Sequence, residues 1–338
     1  MPIFFILSGF SLSVIYGDKI NNNFKKKNFY RNRFDRIYPV YIVTLIFALL
    51  LKFTDFGGPK KYIDDSISKW ILKVIANMVL VNRWLFPLPI SFPINGPSWF
   101  LGNLSFYYVI FPYSIQFYKR VKRRILWVVF HSLLTAFIST FLMIKLNFVV
   151  ATTNLISPGF FMFHTGILCG FWCKEKTLDI NQKSNNMINE IQMKWSKSAD
   201  ISTLLLFSWL FISTILQAVF GIKYRANFVI QTYGTPLMII MIISLTLDGG
   251  KSRIAKLCRH DASKFLGKIS MSLYLVHYPL LQYFCVILKH IAPNLLNLTD
   301  YKLKMLHCGT MPWYGVFVNV PISLIAACVL EVVVETPC

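Results

Sequence analysis

The chain has 338 residues, of which 55% are hydrophobic, 16% aromatic and only 14% charged, with a mean hydropathy of +0.54. A soluble globular domain carries about 25% charged residues, so that class is excluded. The net charge of +21 would suit a nucleic-acid binder, but the basic residues fall in short clusters between long apolar runs, the placement by which membrane proteins set their orientation; no nucleic-acid partner is expected.

A helix that crosses the bilayer needs about 20 mostly apolar residues. In chain order the runs of this kind are Met1–Tyr16, Ile37–Phe53, Pro97–Phe117, Ile125–Ile144, Ser157–Cys173, Ile201–Phe220, Asn227–Leu247, Phe265–Leu288 and Pro312–Val334. They predict an all-α, polytopic integral membrane bundle of about nine spans, in one domain covering residues 1–338. Trp70–Leu80 is too short to span and carries Lys73, which predicts an amphipathic or re-entrant helix. The stretch 174–199 between the fifth and sixth runs is expected to be a hydrophilic loop. Seven cysteines lie mostly within apolar runs and form no CxxC pair, so they are read as small buried hydrophobes, with no metal site.

Lys and Arg counts set the expected orientation. The alternate loops Gly17–Arg36, Lys119–Arg124, Lys174–Ala199 and Asp248–Lys264 hold 7, 5, 5 and 5 of them, against 5, 1, 2 and 3 in Thr54–Asn95, Lys145–Ile156, Gly221–Ala226 and Lys289–Met311. The first set is therefore expected to be cytoplasmic. This puts Met1 outside and the C-terminus inside; one more helix before Met1 would place both ends inside, so the chain is expected to lack a first helix. Lys- and Asn-rich loops favour a bacterial inner membrane.

Four stretches stand out together: FFILSGF (Phe4–Phe10), RNRFDRIYPVY (Arg31–Tyr41), INGPSWFLGNLSFYYVIFP (Ile94–Pro112) and KISMSLYLVHYPL (Lys268–Leu280). Ser8-Gly9 within an apolar run allows close helix packing. Arg31, Arg33 and Arg36 have two readings: anchoring to anionic headgroups of membrane lipid, or capture of phosphates, for which the guanidinium offers a two-pronged fork. His277 lies halfway along an apolar helix, where an ionisable residue is costly and is either functional or hydrogen-bonded to a neighbouring helix. Ser270, Tyr274 and His277 follow at spacings of four and three, so they share one face, a polar stripe suited to lining a tunnel. No acidic residue accompanies Ser270 and His277, which excludes a serine-hydrolase triad. His131 and His164 are intramembrane and read as structural hydrogen-bonding groups. Trp99 follows a turn whose Pro97 suits the start of a helix; it is either a belt residue or a contact to substrate at the outer entrance.

In their order and spacing these stretches resemble acyltransferase family 3, the OafA-like membrane O-acyltransferases, whose pattern runs FFxxSGF, RxxRixPxY, NGPxWSLxxExxFYLxFP, SYxxYLxHxPL and a closing ExP. Here the last is Glu335-Thr336-Pro337. The resemblance covers nearly the whole chain and implies a ten-helix bundle, the first helix of which this chain is expected to lack. It implies transfer of an acyl group, usually acetyl, from cytoplasmic acyl-CoA (acetyl-CoA) to a hydroxyl of a cell-surface glycan or lipid-linked sugar, with no bound cofactor. Arg33 and Arg36 match the motif and are the expected donor-binding residues. His277, Tyr274 and Ser270 are the expected catalytic stripe, Trp99 a substrate contact, and Glu335 a structural partner of the inner-surface arginines. Two features depart from the pattern. The family's basic residue ten positions before a histidine, on the helix upstream of FFxxSGF, is missing, and Leu104 stands where the family often has an acidic residue. A non-catalytic remnant of the family is therefore one alternative. A small-molecule transporter is the other, although no internal repeat supports it.

Overall fold

The computed structural model describes residues 2–19, 24–53, 67–85, 88, 93–146, 158–219, 233–291 and 313–335. The predicted loops 145–156, 221–226 and 289–311 lie wholly or largely outside them, as does Pro337. The helices are α1 (Pro2–Tyr16), α2 (Lys26–Phe53), α3 (Ile67–Met78), α4 (Trp99–Lys119), α5 (Arg124–Leu146), α6 (Pro158–Asn181), α7 (Asn185–Val219), α8 (Thr235–Leu247), α9 (Arg253–Arg259), α10 (Asp261–Ile291) and α11 (Trp313–Leu330), the last continued by a π-helical turn at Glu331–Glu335. No strand occurs among the described residues. Each predicted span falls on a helix where it is described. α2, α5, α7 and α11 with its π turn are long and apolar enough to cross a membrane, and α1 and α8 are shorter apolar helices. The protein is thus an all-α integral membrane protein.

The chain divides into two compact units, Met1–Lys26 with Asn103–Ser263 and Lys27–Gly102 with Lys264–Cys338. In the first, α6 is the hub: every residue from Met162 to Phe171 is buried, with α1, α5 and α8 packed around it. Within lipid no hydrophobic force draws helices together, so close association relies on small residues that let backbones meet. A Cβ on Gly9 would strike the Phe163 carbonyl, one on Gly166 the Ile6 carbonyl, and one on Gly170 the Ser13 hydroxyl. The Ser8-Gly9 pair is therefore part of a two-sided contact, answered on α6 by Gly166-x-x-x-Gly170.

Two polar stretches are more helical than expected. Residues 174–199 continue α6 to Asn181 and open α7 at Asn185, so only a short turn is non-helical. Hydropathy registers the lack of apolar residues there and not the local support for a helix, which includes the ion pairs Lys176–Asp179 at 3.2 Å and Glu190–Lys194 at 2.8 Å. Likewise the RNRFDR segment occupies the first turns of α2, where Arg31 and Asp35 pair at 3.5 Å. α3, at 12 residues, rises only about 18 Å. It exposes Ile67, Ile71, Leu72 and Ile75 and buries Ala76 and Asn77, as a helix lying against lipid would.

Replacing Gly9 or Gly166 by Val should force α1 and α6 apart at a cost on the order of 3 kcal/mol. The expected result is a clear fall in the thermal midpoint of the purified protein; Gly267→Ala, at a position with nothing within 4 Å, should leave it nearly unchanged.

Candidate functional site

The second unit holds all seven residues expected to form the site: Arg33, Arg36, Trp99, Ser270, Tyr274, His277 and Glu335. Its geometry starts from a proline. Pro279 lies inside α10 and has no N–H, so the Leu275 carbonyl four residues earlier loses its helical donor. Water is scarce at that depth, and the carbonyl needs another partner. Asn95 supplies one: its Nδ2 donates to Leu275 O at 3.0 Å. The neighbouring Tyr274 hydroxyl donates to Pro97 O at 2.8 Å, and the Tyr278 ring lies against Gly96, where a Cβ would come within 3.1 Å of it. The Asn95-Gly96-Pro97 turn is thereby fixed on α10. Ser98 closes it by donating to Asn95 O at 2.7 Å, and Trp99 follows at the start of α4.

A second brace joins this turn to α2 and α3. Fully buried Asn77 accepts from Ile94 N through Oδ1 at 3.1 Å and donates to Lys73 O at 2.9 Å, while its carbonyl accepts from the Tyr41 hydroxyl at 2.7 Å. The Trp84 indole donates to Gly102 O at 3.1 Å. Asn82, 1% exposed, has no partner for either amide atom, and Asn95 Oδ1 is also buried without one. The result is a polar layer of Tyr41, Asn77, Asn95, Ser98 and Tyr274.

His277 borders this layer, its ring 5.9 Å from that of Tyr274. Nδ1 lies 3.2 Å from the Leu273 carbonyl. A carbonyl has no proton to give, so this contact places a proton on Nδ1, and in the neutral ring Nε2 is the acceptor. Ser270 is apart from the pair: it is exposed and its hydroxyl donates to Gly267 O within its own turn, at 2.7 Å. Trp99 is half-buried, its ring 6.3 Å from Phe100, which meets Tyr274 edge-on at 6.0 Å.

A charged layer lies one and a half turns away. Ser272 donates to Glu335 Oε1, Lys268 pairs with buried Glu331 at 2.8 Å, and exposed Arg36 is close enough to Glu335 to act on its charge. Arg33 is half-buried and its Nε is enclosed without a hydrogen-bond partner. Arg36 to Tyr41 and Ser272 to His277 are each five residues, about 7.5 Å of helix. Further along, the Tyr283 hydroxyl donates to Phe47 O at 3.1 Å, so α2 and α10 run in the same direction. Sequence reasoning missed Ser272, Asn95, Asn77 and Tyr41 as site residues. The signal for Asn95 was available, since a proline within an apolar helix announces a free carbonyl.

The family model described as an acyltransferase domain, that of acyltransferase family 3, matches residues 1–332. Acyltransferase MdmB of Streptomyces mycarofaciens is 29% identical over 129 residues, 38% of this chain and 30% of that protein. The chain thus matches under a third of the length of that relative. An uncharacterized protein of Haemophilus influenzae is 29% identical over 229 residues, 63% of this chain and 86% of that one. No solved structure matches.

Asn95→Leu should leave the Leu275 carbonyl buried and unmet, lowering stability by about 1–3 kcal/mol. Adding Pro279→Ala gives position 279 an N–H that can reach that carbonyl, so thermal melts of the double variant should recover most of the loss; additive losses would contradict the assignment. In the charged layer, Arg36→Glu should lower the yield of folded protein, and Arg36→Glu with Glu335→Arg should restore part of it, read by size-exclusion profiles.

Proposed function

The chain belongs to acyltransferase family 3; from that premise we propose that it is a membrane acyltransferase that moves an acyl group, acetyl in the first instance, from acyl-CoA to a hydroxyl of a cell-surface glycan or lipid-linked sugar. The observation that carries this reading is the arrangement of the second unit, with two arginines and a bordering carboxylate at one level and a polar layer with an accepting imidazole nitrogen at the next. Arg33 and Arg36 would bind the phosphates of the donor, with Arg33 half-buried and Arg36 exposed. The guanidinium fork matches phosphate oxygens better than a lysine would. Glu335, held by Ser272, would keep Arg36 extended towards the donor. The pantetheine arm is longer than the separation of the layers, so the thioester can reach His277 while the nucleotide stays at the arginines.

In the transfer step His277 Nε2 takes the proton of the acceptor hydroxyl as its oxygen attacks the thioester carbonyl. The C–S bond then breaks, the ester forms, and the proton passes to the departing thiolate. Tyr274, whose ring lies 5.9 Å from that of His277, would orient the acceptor, and Asn95 Oδ1 would offer a further hydrogen bond to a hydroxylated ligand. Trp99 supplies an aromatic face of the kind on which sugar rings pack. Ser270, exposed and bonded within its own turn, takes no chemical step in this scheme. The reading includes a bacterial inner membrane with the arginine layer on the cytoplasmic side, where acyl-CoA is made.

Purified protein should release thiol from acetyl-CoA in the presence of a hydroxylated acceptor. Arg33→Ala or Arg36→Ala should raise KM for acetyl-CoA about tenfold or more with a smaller change in kcat, since a charge-assisted hydrogen bond contributes roughly 1.5–3 kcal/mol. His277→Gln should lower kcat by about 10²–10⁴ with KM little changed. Folded protein with no acyl transfer to any hydroxylated acceptor would favour the non-catalytic reading, for which buried, apolar Leu104 in place of the family's acidic residue is the supporting observation.

A further inference from the structure

The first unit contains a cavity that the proposed reaction does not use. It has a volume of about 230 Å³ and lies among α5, α6, α7 and α8. Its inner wall includes Val128, Trp172 and Trp195, the two indoles meeting edge to face at 6.3 Å. At its mouth Ile125 and Ile240 are 58% and 44% exposed, so it opens on an apolar surface at the start of α5. Such a wall suits a hydrocarbon chain and rejects a hydrated ligand.

The turn that leads into α5, next to the mouth, is basic. Arg124, the first residue of α5, forms its lip; this side chain is 10% exposed, pairs with Glu175 and donates to the Lys119 carbonyl at 3.4 Å, while its Nε is buried without a partner. Glu175 thus offsets Arg124 and leaves the local excess of charge to Arg120, Lys122 and Arg123, all exposed on the turn that leads into α5. Ile125 of the mouth follows that turn directly. An apolar slot opening on an apolar surface, with tryptophans in its wall and three exposed cations at one end, matches an amphiphile with an apolar tail and an anionic head.

We propose that this cavity is a binding site for one anionic phospholipid, which lays an acyl chain along Val128 and between the α5–α8 helices and rests its phosphate on the Arg120–Arg123 turn. The tail enters laterally from the bilayer, replacing contacts that the cavity lining otherwise lacks. The lipid ties α5 to α7 and α8 across the slot, and so stabilises the unit built on α6. The site is separate from the arginines of α2 and does not depend on the acyl-transfer reading.

The test is native mass spectrometry of the full chain, delipidated in detergent and titrated with phosphatidylglycerol or phosphatidylcholine. One tightly retained phosphatidylglycerol is expected, preferred about tenfold or more over phosphatidylcholine. Val128→Trp, which fills the slot, should abolish that adduct. The exposed triple variant Arg120→Gln, Lys122→Gln, Arg123→Gln should bring the preference close to one; it changes no buried group, so it decides the matter even if the tryptophan variant fails to fold. Equal binding of the two lipids by the unaltered protein would overturn the proposal. So would a phosphatidylglycerol adduct that survives in folded Val128→Trp, or displacement of the lipid by oleoyl-CoA at equal concentration.

Discussion

A carbonyl without a donor organises the candidate site. Pro279 is placed in the middle of an apolar helix, and the Leu275 carbonyl it frees cannot turn to bulk water. The hydrogen bond from Asn95 meets that need, and in doing so it seats a turn from a remote part of the sequence against α10. Once the turn is seated, Tyr274 can donate to Pro97, Ser98 can close the turn, and Trp99 begins α4 from a fixed position. His277 belongs to the same arrangement: its Nδ1 faces the Leu273 carbonyl, and its other nitrogen is left able to accept.

The charged layer follows from the same scarcity of water. A carboxylate as enclosed as Glu331 needs a nearby cation, and Lys268 provides it, while Glu335 is held by the Ser272 hydroxyl and lies within the field of Arg36. Arg36 is thus set beside a carboxylate, which distinguishes it from the exposed cations that lead into α5. A cluster that serves only to set orientation has no need of ordered carboxylates beside it.

Much of this was legible from the residues. The apolar runs gave the helices, because lipid imposes both their length and their composition. Ser8-Gly9 was read as a close-packing site, and Gly9 meets the α6 backbone. Polar helices were not legible. Residues 174–199 were read as a loop, and the RNRFDR segment was placed in one, because hydropathy reports where a chain can enter lipid and says nothing of a helix that continues into water. The Ser270 stripe illustrates a further limit. Spacing places Ser270, Tyr274 and His277 on one face, yet the serine that touches a carboxylate is Ser272, on a different face of α10. Which face meets a partner depends on α11 and its π turn, more than 50 residues away. The free Leu275 carbonyl could have been inferred from Pro279, but its donor, 180 positions distant, could not.

The central claim is that the acyl donor binds at the charged layer of α2 and α10. Hydrogen–deuterium exchange with a non-reactive thioether analogue of acetyl-CoA tests it most directly. The account predicts slower exchange in peptides covering residues 27–38 and 264–275 on addition of the analogue, with little change across 124–146 and 185–219. Protection confined to the latter helices, or no protection at saturating analogue in folded protein, would contradict it.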